Sequence, residues 1–168
     1  NTFVLTNSLP SGEHDLGPID GATIMSEEFY TARDYTRSVY LQPSEQAARL
    51  LVQFVYIDLP PRAKGWQTRC QDSLSICEAG DDNENLHCSI GIISDFCGDL
   101  RDLFVSNLFI RRQHYVTTRH PGRALNIRWK VGPKNSRYRG FQLIVTSFLA
   151  ESTDCGHDSR YWQCKDGR

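Results

Sequence analysis

Apolar residues along this chain occur in short runs, rich in β-branched and aromatic side chains, that turn-forming residues separate. The clearest runs span residues 22–25, 38–41, 49–58, 74–76, 125–129 and 141–148. Runs of this length, several of them alternating, are typical of β-strands. Helical periodicity is nearly absent. The pattern therefore predicts an all-β fold, an antiparallel β-sandwich.

The two ends of the chain differ from this pattern. Residues 1–18 are polar and are predicted to form an N-terminal tail, and residues 19–149 carry all the strand-like runs. Residues 150–168 form a polar linker and a segment with too few apolar residues to bury a core of its own. The organisation predicted is a tail, one domain and a small appendage.

Composition and cysteine content narrow the class of protein. The 168 residues are 39% apolar, enough for one packed domain. No apolar run approaches the roughly 18 residues that cross a bilayer. The six cysteines are Cys70, Cys77, Cys88, Cys97, Cys155 and Cys164. Because no CxxC pair occurs, disulfides are favoured over a zinc site, and we expect an extracellular or cell-surface location.

Four motifs in order resemble those of a CUB domain. The sequence FVYIDL at 54–59 is similar to the family's F-x-x-D-L strand, and CQDSLSI at 70–76 to its cysteine, acid and alternating apolar residues. FCG at 96–98 is similar to a conserved turn of the family, and GFQLIVTSF at 140–148 to its closing strand. The resemblance covers roughly residues 20–149. It implies a jelly-roll sandwich that recognises other proteins and has no catalytic activity.

The resemblance also implies a disulfide pattern. Cys70–Cys97 corresponds to the family bond that this chain retains, whereas the family's N-terminal cysteine pair is missing here. Cys77 and Cys88 are additional to the family pattern, and we expect them to bridge the acidic loop at 78–87.

Many CUB domains hold a calcium ion through acidic residues at one end of the sandwich. Of those positions only Asp72 keeps its acid, since Pro60 occupies the first and the third falls near Val131 and Gly132. Calcium takes six to eight oxygen ligands, so we expect no metal or other cofactor in this domain. The alternative role for Asp72 is to cap backbone amides of a turn.

The C-terminal sequence WQCKDGR at 162–168 resembles the opening of a low-density-lipoprotein-receptor class A repeat. The later cysteines and calcium-binding acids of that module are not in this sequence. The pairing of Cys155 and Cys164 therefore stays open, and calcium is expected there only if the repeat is completed downstream.

A basic stretch lies between residues 103 and 150, which contain no Asp or Glu. Its candidate binding residues are Arg111, Arg112, Arg119, Arg123, Arg128, Lys130, Arg137 and Arg139. Arginine clusters bind sulfate and carboxylate groups, so heparan sulfate is one candidate ligand; a solvated surface is the alternative. Nucleic acid is not expected for an extracellular protein.

The function predicted is non-catalytic protein–protein recognition, with an extracellular protein ligand or co-receptor as partner. No nucleophile, metalloprotease or phosphate-loop motif occurs. The resemblance points to the ectodomain of a cell-surface receptor or of a receptor or channel accessory protein, with any membrane anchor outside this chain. The alternatives are heparan sulfate binding through 111–139 and the non-catalytic region of a membrane-anchored serine protease. Loop aromatics that could anchor an interface, or equally pack in the core, are Trp66, Tyr30, Tyr35, Tyr115 and Tyr138.

Overall fold

A computed structural model of the chain describes residues 1–31, 33–62, 69–79, 88–134 and 137–149. The strands are β1 (Thr2–Leu5), β2 (Glu13–Ile19), β3 (Gly21–Ser26), β4 (Tyr35–Pro43), β5 (Ala48–Asp58), β6 (Ser73–Ala79), β7 (Cys88–Phe96), β8 (Tyr115–Thr117), β9 (Leu125–Val131) and β10 (Gly140–Leu149). Two short helices, α1 (Leu100–Ser106) and α2 (Leu108–Gln113), lie between β7 and β8. The six predicted strands are confirmed as β3, β4, β5, β6, β9 and β10, each somewhat longer than its apolar run.

The strands form two five-stranded sheets packed as a β-sandwich. One sheet has the order β1-β3-β10-β5-β8 and the other β2-β4-β9-β6-β7. All neighbouring pairs are antiparallel except β1–β3 and β2–β4, which are parallel and lie at one edge of each sheet. The all-β sandwich expected from the sequence is therefore confirmed.

Alternate residues of the central strands fill the space between the sheets. Trp129 of β9 is fully buried and meets Tyr30 and Phe141 edge to face, with ring centroids 5.0 and 5.1 Å away. Leu143 and Val145 of β10 continue the same inner face. Because side chains alternate across a strand, the residues between them reach the outer faces.

The prediction of a polar tail over residues 1–18 is wrong. β1 and β2 fall within this segment and pair with β3 and β4. Leu5 and Ile19 are buried, and the Arg37 guanidinium donates to the carbonyl oxygens of Asn7 and Leu9 at 2.9 and 3.0 Å. An edge strand buries few side chains, so its sequence can look polar although its backbone is paired.

The two helices were also not predicted. At seven and six residues, they are too short to display helical periodicity. Asp99 caps α1 reciprocally with Asp102, and Leu103 and Ile110 bury one side of the pair. No helix in the described residues has the length and apolarity to span a membrane.

Two disulfides link the regions of β6 and β7, the last two strands in the order of the second sheet. Cys70 is bonded to Cys97 and Cys77 to Cys88, with Cα separations of 5.7 and 5.4 Å. These are the pairings that the family resemblance and the acidic loop suggested. Residues 80–87 and the class A-like segment at 150–168, with Cys155 and Cys164, lie outside the described residues.

Candidate recognition surfaces

Asp72 is completely buried at the start of β6. One carboxylate oxygen accepts a hydrogen bond from the Tyr30 hydroxyl, and the other accepts from the Gly132 amide at 2.7 Å. Asp72 thus links the β3–β4 connection to the end of β9. It fixes the loops at this end of the sandwich.

The same contacts bear on whether Asp72 could belong to a calcium site. Both of its oxygens are directed at donors within the protein, and no water-exposed face of the side chain remains. Within the described part of the chain, no three His, Cys, Asp or Glu residues are grouped as metal ligands. Among the described residues, the surroundings of Asp72 do not fit a site that needs six to eight oxygens.

The turn after β3 presents Phe29 to solvent. Phe29 is 66% exposed and has a φ of 50°, which is unusual for a bulky residue. Its amide donates to the Arg139 carbonyl at 3.3 Å, and its neighbour Tyr30 is buried beside Trp129. The buried neighbour and the backbone hydrogen bond hold the Phe29 ring outside the core.

A charged pair borders Phe29. Both Nε and Nη2 of Arg139 donate to Oε1 of Glu28, at 3.1 and 2.8 Å. The guanidinium carbon lies 4.0 Å from the ring centroid of Tyr56, and the Arg139 amide donates to Asp58 at 3.0 Å. Both charged side chains remain about half exposed. We call this set, Glu28, Phe29, Tyr56 and Arg139, the Phe29 surface.

The charge states of Arg139 and Tyr56 do not change near neutral pH. The hydrogen bond to Glu28 raises the pKa of the Arg139 guanidinium. Burial raises the pKa of the Tyr56 hydroxyl, and the neighbouring Arg139 charge opposes part of that rise. Arg139 therefore stays cationic and Tyr56 neutral beside the exposed Phe29 ring.

The candidate basic residues do not all lie close together. Arg111 and Arg112 lie on α2; Arg119 and Arg123 lie in the turn before β9; Arg128 and Lys130 are on the outer face of β9; Arg137 and Arg139 precede β10. The turn at 118–124 contacts the start of β5, whereas Arg139 contacts its end at Asp58. Because β5 has eleven residues and a strand rises about 3.3 Å per residue, the 118–124 turn and Arg139 lie roughly 30 Å apart.

A buried carboxylate organises the turn that carries Arg119 and Arg123. Glu78 is fully buried and accepts hydrogen bonds from the amides of Arg119 and His120 at 2.8 and 3.2 Å. The His120 ring nitrogen Nδ1 also lies 3.2 Å from Glu78. Sequence inspection placed Glu78 in an acidic loop, but its position at the end of β6 turns it inward.

The aromatic residues predicted as interface anchors are buried or half-buried where the structure describes them. Tyr30 and Tyr35 are buried, Tyr115 and Tyr138 are half-buried, and Trp66 lies outside the described residues. Phe29, the exposed ring, was not singled out from the sequence. The one available signal is its adjacency to Tyr30, because consecutive side chains at the end of a strand rarely point into the same core.

Comparison with known proteins supports the fold and no narrower assignment. The sequence matches no known family profile, and no curated protein sequence is significantly similar to it. The structure superposes on the CUB1-EGF-CUB2 domains of rat MASP-1 with a TM-score of 0.59 and 13% identity. That match covers 88% of this chain and 47% of the MASP-1 fragment, so this chain spans about half of the fragment's length. The fold is a CUB-like jelly-roll sandwich.

A second structural match is weaker. The periplasmic lysozyme inhibitor PliG of Aeromonas hydrophila superposes with a TM-score of 0.36 at 9% identity, over 82% of this chain and 100% of the inhibitor. A TM-score of this size does not indicate a shared fold.

Proposed function

We propose that this chain is an extracellular, non-catalytic protein-recognition module, and that it binds its partner through the Phe29 surface. The observation that carries the proposal is the exposed Phe29 ring in a left-handed backbone conformation. A non-glycine residue in that region costs of order 1–3 kcal/mol and persists only where its surroundings impose it. Such a cost at a solvent-exposed aromatic residue is typical of a binding site.

The chemistry around Phe29 supports a protein partner. Exposed aromatic residues supply much of the binding energy at protein interfaces, where surrounding polar contacts exclude water. Glu28 and Arg139 provide that polar border, and their mutual hydrogen bonds pre-orient both side chains. A rigid surface loses little conformational entropy on binding.

We infer that the parent protein is a cell-surface receptor or a receptor or channel accessory protein. The CUB-like fold, the disulfides and the class A-like sequence at 162–168 support this context. Its partner in this view is an extracellular protein ligand or co-receptor.

We further infer that recognition is independent of calcium. The inference follows from Asp72, whose two oxygens accept hydrogen bonds from Tyr30 and Gly132. Binding is then expected to be the same in calcium and in a chelator such as EDTA.

The experiment is a binding screen of the secreted chain against an array of secreted proteins and receptor ectodomains from the same organism. Wild type and Phe29→Ala are compared, with Val55→Ala as the matched control because Val55 is 45% exposed on β5. We expect wild type and the Val55 variant to bind the same partner in calcium or EDTA. Phe29→Ala is expected to lower the affinity at least tenfold.

Two results would contradict the proposal. One is a partner that Phe29→Ala binds as tightly as wild type does. The other is binding that disappears when the partner is treated with heparinase, which would favour the glycan as ligand.

A further inference from the structure

The helix pair between β7 and β8 forms a rigid platform on the surface of the sandwich. Its buried side includes Leu103 and Ile110, which are 2% and 0% exposed. Asp99 and Asp102 cap α1 reciprocally, and the Asn107 side chain accepts from the Ile110 amide at 3.1 Å. These contacts fix both helices although each is too short to be stable alone.

The ring of His114 closes the far end of the platform. His114 has a φ of 62°, its amide donates to the Ile110 carbonyl at 2.6 Å, and its ring meets Phe104 with centroids 4.8 Å apart. The backbone therefore leaves the helix at a defined residue, and α1 and α2 are braced against each other.

The opposite side of the platform exposes two large apolar side chains. Val105 is 78% exposed and Leu108 is 62% exposed. They are three residues apart, so their Cα atoms lie within about 11 Å of each other. Leu103 and Ile110 occupy the inner side, whereas Val105 and Leu108 are both exposed, and we call these two side chains the apolar patch.

Cations border this patch. Arg111 and Arg112 follow Leu108 by three and four residues, which places them beside it on α2. Both are exposed, and neither forms an ion pair with any residue that the structure describes. Arg101 precedes Val105 by four residues on α1 and lies 3.8 Å from Asp99.

We propose that this platform is a second docking surface, which binds another extracellular protein through an apolar pocket bordered by carboxylates. The pocket would receive Val105 and Leu108, and its carboxylates would pair with Arg111 and Arg112. The platform shares no residue with the Phe29 surface.

Charge complementarity selects this partner over others. From residue 103 to 149 the chain has no acidic residue, so nothing on the platform after Asp102 neutralises Arg111 and Arg112. Arginine binds carboxylates through two parallel hydrogen bonds, which gives orientation as well as attraction. A sulfated glycan would satisfy the arginines but would leave Val105 and Leu108 exposed to water.

The test is selection of a disulfide-cyclised random-peptide phage library on the full chain. We expect the selected peptides to carry a large apolar residue flanked by Asp or Glu, and to bind more weakly as salt is raised. Val105→Ser/Leu108→Ser is expected to lower their affinity at least tenfold, and so is Arg111→Glu/Arg112→Glu. Val55→Ser is the matched control and is expected to change it less than twofold.

Several outcomes would overturn the proposal. One is that every selected peptide binds the platform variants as tightly as it binds wild type. Another is that the selected peptides contain no acidic residues. Co-sedimentation of the wild type, and not of Val105→Ser/Leu108→Ser, with phosphatidylserine-containing vesicles would assign the platform to a membrane instead. Thermal melts matched to wild type exclude misfolding of the variants as the cause of lost binding.

Discussion

At the scale of single residues, Asp72 joins loops that are far apart in sequence. Replacement by alanine would remove the buried carboxylate that accepts from the Tyr30 hydroxyl and the Gly132 amide. We expect Asp72→Ala to lower the free energy of unfolding by about 2–4 kcal/mol, because each buried unsatisfied group costs about 1–3 kcal/mol. Urea denaturation measures this change.

Two further variants distinguish the loss of a buried acceptor from the loss of a charge. Asp72→Asn keeps one acceptor oxygen and should lose less stability than Asp72→Ala. Asp15→Ala removes an exposed carboxylate that accepts a single local bond from Gly17, and it should change stability little. An Asp72→Ala midpoint equal to that of wild type would show that this carboxylate does not hold the loops.

Gly140 is a second residue whose close packing can be tested by substitution. It has a φ of 104°, and an added Cβ atom would overlap the Ser26 hydroxyl, which accepts from the Phe141 amide at 3.0 Å. Gly140→Ala should therefore be destabilising by more than the backbone strain alone. Gly12→Ala is the control, since Gly12 has a similar φ of 114° and open space around it.

Thermal denaturation of both glycine variants measures the difference. We expect Gly140→Ala to melt several degrees below Gly12→Ala, because overlap with Ser26 adds to the left-handed strain that both share. Equal melting temperatures would mean that the turn beside Phe29 can shift to accept a side chain.

At the scale of elements, the Glu78 carboxylate anchors the turn between β8 and β9. Glu78→Ala removes the acceptor for the amides of Arg119 and His120. We expect faster hydrogen exchange at these two amides and a loss of about 2 kcal/mol or more in stability. Since the His120 side chain is 57% exposed, His120→Ala should leave the exchange at Arg119 nearly unchanged.

Protection of both amides in Glu78→Ala equal to that in wild type would contradict this role. Glu78→Gln provides an intermediate case because it retains one acceptor oxygen. The measurement is amide exchange resolved to single residues by NMR.

The elements differ in how far the sequence predicts them. Central strands such as β5 and β10 bury alternate apolar residues, so their pattern is visible in the sequence. β1 and β2 are held by backbone pairing and by Arg37, which leave no periodic signal. The helices end within two turns, and what fixes them is the cap at Asp99 and contacts that only folding brings together.

The same distinction applies to Asp72 and to the Phe29 surface. Asp72 was noticed through the family resemblance, but the amide from which it accepts belongs to Gly132, far along the chain, and not to a turn of its own as the alternative role predicted. Phe29 and Glu28 depend on Arg139, more than a hundred residues later in the chain. A contact over that separation has no local pattern from which it could be predicted.

At the scale of the whole molecule, the fold distributes positive charge over several parts of the surface. Arg128 and Lys130 are on the outer face of the second sheet, Arg111 and Arg112 on α2, and Arg139 pairs with Glu28. A long sulfated chain binds tightly when many cations lie along one track. Here the cations are divided among several elements of the fold, and salt screens isolated exposed cations strongly.

We therefore expect weak retention of the wild type on immobilised heparin, with elution near physiological salt. Replacing Arg111, Arg112, Arg119 and Arg123 by alanine should shift the elution only slightly, and replacing Arg128 and Lys130 should shift it by a similar amount. Circular dichroism matched between variants is the control for folding. Elution of the wild type at high salt, lost in the four-arginine variant, would show instead that α2 and the 118–124 turn act together as one glycan-binding track across the edge of the sandwich.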